Sequence, residues 1–476
     1  MKLQLAFLLA LLAAPLAAAD RPNVLFLAID DLRSDLGVLG AAHAKTPQLD
    51  AFASTARVFD RHYVHVPTCG ASRCALVRGR YPTRAAHVNN NAIRGTHKDW
   101  GAHSLPAWFR QHGYQTLALG KITHYPGGLT GKQWATGPEE LPGAWHRCWI
   151  PDGPWQTPQA IMHGYANGAA RQPGKSPPWE AFAGPDEAYP DAWVAAEAIA
   201  TLKQLAAEEQ PWFFGVGFFK PHLPFAAPQR WFDQHPDGIL PDLPPAAAAK
   251  PAWPSGWHGS GEFRGNYGHP NGRDPDTDPD YARLMRRAYT ASVSYMDAQL
   301  GRVLAALHEL GLDDKTIVVV WSDHGFLLGE HAIWGKHCLY EPAVRSPLMI
   351  RHPGLPQPGA SSAATVETVD VFPTLTDLCG LPAPDGLDGL SLRPQLVDPT
   401  AASAKPAHSF WSSGQRSIRT ERWRLIVQAG SGAGSPRIEL FDYQDDPQET
   451  RNHAAEHPAI VEELSARLER IPRLTP

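Results

Sequence analysis

Four short apolar runs along the chain end in clusters of polar residues. Runs of this kind are typical of strands buried on both faces of a parallel sheet. The runs are residues 24–29, 116–119, 212–219 and 316–321, and the clusters after them are Asp30-Asp31, Gly120-Lys121, Lys220-Pro221-His222 and Ser322-Asp323-His324. Because ligands of such sheets bind beyond the carboxyl ends of the strands, the clusters predict a functional site at one edge of the sheet.

Helical patterns separate these runs. Thr46-Pro47 is typical of a helix start, and apolar residues at positions 49, 52, 53 and 56 follow with helical spacing. Residues 191–209 form an alanine-rich helical segment, and Asp278-Pro279 opens a long helix that Gly311 ends. Strands alternating with helices predict an α/β domain with a mostly parallel central sheet flanked by helices.

Two stretches, residues 125–182 and 236–280, interrupt the alternation and are rich in proline, glycine and tryptophan. Long segments of this kind are usually functional or mobile. Their indole rings either stack on the sugar rings of a ligand or pack the loops onto the domain. The tryptophans are Trp134, Trp145, Trp149, Trp155, Trp179, Trp253 and Trp257.

The pattern changes near residue 400. A linker-like stretch is followed by alternating segments at 417–428 and 437–443, which predict antiparallel strands. A last helix carries apolar residues at 460, 464, 468 and 471 on one face. We therefore predict a catalytic domain over residues 20–400 and a small α+β subdomain with antiparallel strands over residues 401–476.

Composition narrows the class of protein. The 476 residues are 43% hydrophobic and 19% charged, as in an ordinary globular protein, and a net charge of −5 argues against a nucleic-acid binder. Lys2, an apolar stretch over residues 5–16 and small residues before Asp20 are typical of a signal peptide cleaved after Ala19. We expect a periplasmic or secreted protein, with no membrane span after residues 1–19 are removed.

The acidic clusters predict a metal site. Asp30, Asp31 and Asp323 would repel one another if they met at the sheet edge without a cation. Oxygen ligands favour Ca²⁺ or Mg²⁺, whereas the imidazole of His324 suits Zn²⁺ better. The alternative is that each Asp pair only caps the helix that follows its strand.

The stretch TCGASRCALVRGR, residues 68–80, holds two of the five cysteines. A helix that begins near Gly70 would surround the side chain of Cys69 with its amides and with Arg73, four positions on, which predicts an anion site and an activated nucleophile. The alternative is a disulfide from Cys69 to Cys74, with awkward geometry. The pairing of Cys74, Cys148, Cys338 and Cys379 cannot be read from the sequence.

The segment C-G-A-S-R at residues 69–73 resembles the Cys-x-Pro-Ser-Arg signature of the type I, formylglycine-dependent sulfatases. Ala71 replaces the usual proline, and Val77-Arg78-Gly79 replaces the usual Leu/Met-Thr-Gly. The similarity continues through RPNVLFLAIDDLRSD, GKITH, VGFFKPHLPF, WSDHGFLLGEHAIWGKH and ELFDYQDDPQETRN, from about residue 21 to 453. The GKITH spacing, the Lys-Pro-His triplet and His324 are most similar to the iduronate-2-sulfatase branch.

This resemblance implies an alkaline-phosphatase-like fold and hydrolysis of a sulfate ester. A maturation enzyme would convert Cys69 to formylglycine, whose hydrated form is the nucleophile. By analogy, Ca²⁺, or Mg²⁺ as the second choice, is held by Asp30, Asp31, Asp323, His324 and residue 69. The other implied roles are stabilisation of the diol by Arg73, sulfate binding by Lys121 and Lys336, leaving-group protonation by His222, removal of the diol proton by His124 and a substrate contact by Lys220.

Other interpretations stay open for the function and for single residues. The substrate is an iduronate 2-sulfate or another sulfated polysaccharide unit. A phosphomonoesterase or phosphodiesterase of the same fold is one alternative, and a non-catalytic glycan-binding protein with an unmodified Cys69 is another. Lys336 could instead pair with Glu330 or Glu341 on the surface, and Lys121 and Lys220 could be solvated lysines.

Overall fold

A computed structural model describes residues 21–125, 139–236, 242–251, 257–430 and 435–475. The expected signal peptide, Trp134 and Trp253 lie outside these residues. Within them, no helix combines the length and the apolarity needed to cross a bilayer.

An eight-stranded sheet organises the chain. The strands of the described residues are β1 (Asn23–Ile29), β2 (Arg57–Tyr63), β3 (Gln115–Gly120), β4 (Arg147–Trp149), β5 (Trp179–Phe182), β6 (Trp212–Phe218), β7 (Phe225–Pro228), β8 (Thr316–Ser322), β9 (Leu327–Leu328), β10 (Trp334–Gly335), β11 (Leu348–Arg351), β12 (Ser361–Glu367), β13 (Ala407–Trp411), β14 (Gln415–Arg419), β15 (Trp423–Gln428) and β16 (Arg437–Asp442). The order in the large sheet is β12-β2-β11-β8-β1-β6-β3-β4. Only β11 runs antiparallel to its neighbours in this sheet.

The four strands predicted from apolar runs are neighbours at the centre of this sheet. They are β8, β1, β6 and β3, all parallel. Their carboxyl ends are in register, because Ile29 pairs with Phe218 on one side and with Ser322 on the other. The polar clusters that follow the strands therefore meet at one edge, as predicted.

Helices cover both faces of the sheet. The helices of the described residues are α1 (Pro47–Ala53), α2 (Cys69–Arg78), α3 (Ala92–Thr96), α4 (Leu105–Gln111), α5 (Pro158–Met162), α6 (Pro190–Leu205), α7 (Gln229–Asp233), α8 (Pro245–Ala248), α9 (Gly261–Asn266), α10 (Pro279–Glu309), α11 (Glu341–Val344), α12 (Val371–Leu378), α13 (Arg393–Val397) and α14 (Pro458–Leu468). Alternate residues of β1 face opposite layers. Leu25 and Leu27 pack with α1, α6 and α10, whereas Val24 and Phe26 pack with α2, α4 and α12.

The helices α1 and α10 begin where the sequence predicts, but the predicted residue caps only one of them. The side chain of Asp278 accepts a hydrogen bond from Tyr281 N, so it caps α10 as expected. Thr46 occupies the cap position of α1 without capping through its side chain. The carboxylate of Asp297, on α10, accepts the N–H groups of Gln48 and Leu49 instead.

The described tryptophans of the two long loops mainly pack the loops onto the domain. Trp145, Trp149 and Trp155 are buried, and Trp149 stacks on Phe214 of β6. These three rings therefore pack the loops onto the domain and are not free to stack on a sugar. Short elements, including β5, α5 and α9, lie within segments that were expected to be irregular.

The chain ends in the predicted antiparallel strands and helix. Strands β13 to β16 form a four-stranded antiparallel sheet. Leu464 and Leu468 of α14 pack on this sheet beside Ile418 and Leu440. The mostly parallel sheet with helices and the C-terminal α+β unit confirm the predicted fold class, and the boundary at residue 400 stays a prediction.

Candidate active site

The sheet edge and the start of α2 bring most of the predicted residues together. Asp30 follows β1, Asp323 and His324 follow β8, and Cys69 is the first residue of α2. The potential ligand atoms of these four residues lie within 4.8 Å of one another, and all four are buried. A second group of potential ligand atoms, with the same spacing, consists of Asp30, Asp31, Cys69 and His222.

His324 presents a neutral nitrogen to this cluster. Its Nδ1 lies 2.9 Å from the carbonyl of Gly325, which assigns the ring proton to Nδ1. Nε2 lies 3.3 Å from Cys69 Sγ and 3.4 Å from Asp31 Oδ1. Burial lowers the pKa of His324 to about 4, so the ring offers a lone pair at neutral pH. This is the form of histidine that ligates a metal.

Asp31 has a left-handed backbone, with φ of 61°. Such a conformation is costly for a residue other than glycine and is found preferentially at functional sites. Two hydrogen bonds hold the backbone of Asp31, and a third holds the hydroxyl of Tyr289. Asp31 N donates to Asp323 Oδ1 at 3.1 Å, and the Asp31 carbonyl accepts from Tyr289 Oη at 2.7 Å. Tyr289 Oη in turn accepts from Arg33 N at 2.8 Å.

Three buried cations line the same cluster. Arg73 Nε lies 2.9 Å from Asp323 Oδ2, and Lys121 Nζ contacts Asp30. Lys336 Nζ lies 2.9 and 2.8 Å from the two carboxylate oxygens of Asp31. Lys336 and Lys121 are therefore not solvated surface lysines. Burial alone would lower the pKa of Lys336, but Asp31 and the other negative groups around it together outweigh burial and raise the pKa well above the ordinary value.

The start of α2 is fixed by a residue that the sequence did not indicate. Asn90 Oδ1 accepts the N–H of Gly70 at 3.0 Å, and a Cβ at Gly70 would lie 2.2 Å from the Asn90 carbonyl oxygen. Burial and Asp30 raise the pKa of the Cys69 thiol, outweighing Lys121 and its neighbours. In the unmodified residue, burial therefore opposes the activated thiol expected at position 69, which stays a prediction.

The buried thiols do not form the disulfide considered above. Cys69 and Cys74 both carry free thiols in the structure, as do Cys338 and Cys379. Burial raises the pKa of Cys74 to about 11.

The two predicted proton-transfer histidines lie beside the cluster. His222 Nδ1 lies 2.7 Å from the carbonyl of Leu223, and its Nε2 lies 3.4 Å from Glu262 Oε1. His124 is buried, and burial together with Lys121 lowers its pKa well below the ordinary value. Its Nδ1 has no hydrogen-bond partner among the described residues.

Lys220 binds the backbone of its own loop. It is fully buried, and its Nζ donates to the carbonyls of Pro224 at 2.7 Å and His222 at 3.2 Å. The predicted substrate contact of Lys220 stays a prediction. Lys220 supports the loop that carries His222, because its ammonium is used by the backbone of that loop.

Glu262 is a further residue of the site that sequence reasoning missed. Its carboxylate lies 3.4 Å from His222 Nε2 and 3.4 Å from Lys336 Nζ. It belongs to α9, inside the proline-rich stretch 236–280, and no motif marks it. Its place beside the site depends on contacts of α9 with β10, which are distant in sequence.

The donor set fits a divalent cation. Carboxylate oxygens of Asp30 and Asp323 lie close to the lone pair of His324, Asp31 Oδ1 lies 3.4 Å from His324 Nε2, and none of these side chains is exposed to solvent. Like charges at this separation are stabilised by a cation between them.

Comparisons with known proteins agree with this geometry. The family profile described as Sulfatase matches residues 22–381, and one described as N-sulphoglucosamine sulphohydrolase, C-terminal, matches residues 329–473. Iduronate 2-sulfatase of Mus musculus is 30% identical over 410 residues, which cover 77% of this chain and 70% of that protein.

Solved structures share the fold along nearly the whole chain. The phosphonate monoester hydrolase of Agrobacterium radiobacter has a TM-score of 0.73 and 24% identity, covering 94% of this chain and 95% of that one. BT4656, solved in complex with its substrate D-glucosamine-2-N,6-O-disulfate, has a TM-score of 0.69 and 22% identity, covering 94% and 97%. By its matching profile and its relatives, the chain belongs to the sulfatase family and is a sulfuric ester hydrolase.

Proposed function

We propose that the protein hydrolyses the sulfate ester of a sugar by means of a formylglycine derived from Cys69 and a bound Ca²⁺ ion. One observation carries the proposal. The ligand atoms of Asp30, Cys69, Asp323 and His324 lie within 4.8 Å of one another at the sheet edge, and buried cations surround them. A sulfate ester needs this combination of an oxygen nucleophile, positive charge around the sulfuryl oxygens and an acid for the leaving group.

Asp30, Asp31, Asp323 and His324 are the residues that would hold the ion. An oxygen-rich set favours Ca²⁺, with Mg²⁺ as the second choice. When bound, the ion would polarise the sulfate group and lower the pKa of a neighbouring hydroxyl.

Residue 69 is the proposed nucleophile. A maturation enzyme that oxidises Cys69 would supply an aldehyde, whose hydrate offers an oxygen nucleophile and a second hydroxyl for release of the product. The place of this residue at the start of α2, with Arg73 one turn on, supports its orientation toward the cluster.

The remaining residues bind the substrate and move protons. Lys121 and Lys336 are proposed to bind sulfuryl oxygens, because their ammonium groups border the carboxylate cluster. His222 is the proposed acid, since its Nδ1 is held by a carbonyl and Nε2 is directed toward the site. His124 is the proposed acceptor of the diol proton, and its lowered pKa supplies the neutral ring that a base requires.

A sugar sulfate is the proposed substrate, with iduronate 2-sulfate first and another sulfated polysaccharide unit second. The names of the mouse relative and of the sugar bound to BT4656 support this class. Export is also proposed, on the N-terminal pattern of residues 1–19.

Two measurements test the proposal. The mass of the peptide containing residue 69, in protein from the native host, should show formylglycine, and Cys69→Ala should abolish hydrolysis while leaving the fold intact. Active protein from that host with only unmodified cysteine at position 69 would contradict the nucleophile.

Sulfate, phosphate and phosphonate esters of one aryl alcohol should be assayed side by side, because the fold is shared with a phosphonate hydrolase. We expect the sulfate ester to have the highest kcat/KM. A preference for either phosphorus ester would overturn the assignment. If the sulfate ester is preferred, a panel of defined sulfated oligosaccharides would identify the sugar.

A further inference from the structure

We propose that Glu262 is a positioning residue that aligns the acid His222 and makes the enzyme selective for esters of poorly departing sugar alcohols. This inference rests on the proposed function, in which His222 protonates the leaving oxygen. The carboxylate of Glu262 contacts His222 Nε2 and Lys336 Nζ, each at 3.4 Å. It thus lies between the acid and one of the proposed sulfate-binding cations.

The helix that carries Glu262 is fixed to the strand before Lys336. Ser260 Oγ accepts the N–H of Trp334, in β10, at 2.8 Å, and Phe263 stacks on the Trp334 ring with 5.6 Å between centroids. Ser260 itself has a left-handed backbone, with φ of 55°. A non-glycine residue in this conformation is maintained only by its surroundings, which here direct α9 over the site.

His222 is constrained from several sides. Its Nδ1 is bound to the Leu223 carbonyl at 2.7 Å, and its ring lies 5.4 Å from that of His163. His163 Nδ1 lies 3.1 Å from Tyr267 Oη, directly after α9. Both nitrogens of His222 therefore face oxygen atoms, the Leu223 carbonyl on one side and the Glu262 carboxylate on the other.

The contact from Glu262 is suited to a proton that must be shared. A separation of 3.4 Å is longer than an optimal charge-assisted hydrogen bond, so Nε2–H can be shared with a leaving oxygen beside it while the ring stays in place. When the sulfur–oxygen bond breaks, its electron pair stays on that oxygen, which takes the proton from Nε2. Glu262 keeps its charge throughout, and the ring regains a proton from solvent before the next turnover.

Lys336 is held by the same carboxylate. Its Nζ lies between both oxygens of Asp31 and Glu262 Oε2, so its donors are directed by two carboxylates rather than one. Because the side chain of Glu262 is only 19% exposed, this contact is little weakened by solvent. The sulfate-binding cation and the acid are thereby kept at a fixed separation.

The leaving-group dependence of Glu262→Gln tests the inference. A phenolate departs without an acid, whereas a sugar alkoxide requires one. We expect kcat/KM for a sulfated sugar to fall by about 100-fold or more, while kcat/KM for 4-nitrophenyl sulfate changes by less than about 5-fold. His222→Ala should give the same pattern, and the double variant should lose little more than His222→Ala alone.

Arg264→Ala is the matched control. Arg264 lies on α9 and pairs with Asp274 and Asp276, so its removal loosens the helix without touching the site. Its selectivity between the two substrates should equal that of the wild type. An equal change in the two substrates for Glu262→Gln would overturn the inference, because a merely structural residue would act on both.

The variants also separate this inference from the proposed function. If His222→Ala shows leaving-group dependence and Glu262→Gln does not, only the assignment of Glu262 falls. If His222→Ala lowers both substrates equally, the proposed acid is wrong, and the inference fails with it.

Discussion

Removing the hydroxyl of Tyr289 should weaken both the fold and the proposed metal site. Tyr289 Oη donates to the carbonyl of Asp31 at 2.7 Å and accepts from Arg33 N at 2.8 Å, and the side chain is buried. Tyr289→Phe leaves these two backbone groups without partners. At about 1–1.5 kcal/mol for each lost hydrogen bond, the free energy of unfolding should fall by about 2–3 kcal/mol.

The same change should act on the metal because Asp31 is held in a strained conformation. Freed from Tyr289, the backbone with φ of 61° can relax and carry the carboxylate away from the cluster. Loss of a supporting hydrogen bond of this kind typically lowers metal affinity by about 10–100-fold. Ca²⁺ affinity would be measured by chelator competition, activity as kcat/KM on a sulfate ester, and stability by urea unfolding.

Tyr295→Phe supplies a matched control. Tyr295 lies on the same helix, α10, is equally buried, and accepts from Ala192 N at 3.0 Å while donating to the carbonyl of Asp186 at 3.2 Å. It should lose a similar amount of stability with no change in Ca²⁺ affinity. Equal Ca²⁺ affinities of the two variants would refute the argument that Tyr289 supports the site through Asp31.

Two further predictions concern stability away from the site. Burial raises the pKa of Asp297 to about 7 from an ordinary 3.8. The protonated side chain therefore contributes to the free energy of unfolding in full below pH 4, and this contribution, at most about 4 kcal/mol, is lost as the pH rises through 7. Urea unfolding at pH 5 and pH 8 should therefore show Asp297→Asn gaining stability relative to the wild type at the higher pH, and a gap independent of pH would contradict this. Arg57 is fully buried and donates to five backbone carbonyls, so Arg57→Met should lower the free energy of unfolding by at least about 3 kcal/mol, whereas Arg61→Met on the same strand should change it by less than about 1 kcal/mol.

The central sheet could be predicted because its strands are buried on both faces. In an α/β chain, a short continuous apolar run that ends in polar residues usually forms a buried parallel strand. Because parallel strands of one sheet end at the same edge, the sequence was enough to predict that Asp30 and Asp323 lie at that edge.

Contacts between distant segments could not be predicted in the same way. Thr46 has the residue type of a helix cap, yet Asp297 caps α1 from 249 positions away. Lys220 ends a strand beside the site, yet its side chain turns to the carbonyls of its own loop. Glu262 lies in a segment without periodicity, so nothing local indicates its direction. In each case, tertiary packing decides where a polar side chain points.

The charge arrangement shows why the site needs both its carboxylates and its lysines. Asp30 pairs with Lys121, Asp31 with Lys336 and Asp323 with Arg73, so three negative charges meet three positive ones. A divalent cation held by those carboxylates adds two positive charges to a neutral set. A sulfate ester is a monoanion, and further negative charge collects on its leaving oxygen as the bond breaks. The paired cluster can thus remain stable and buried, and a divalent ion held there as proposed would supply the positive charge that the reacting group requires.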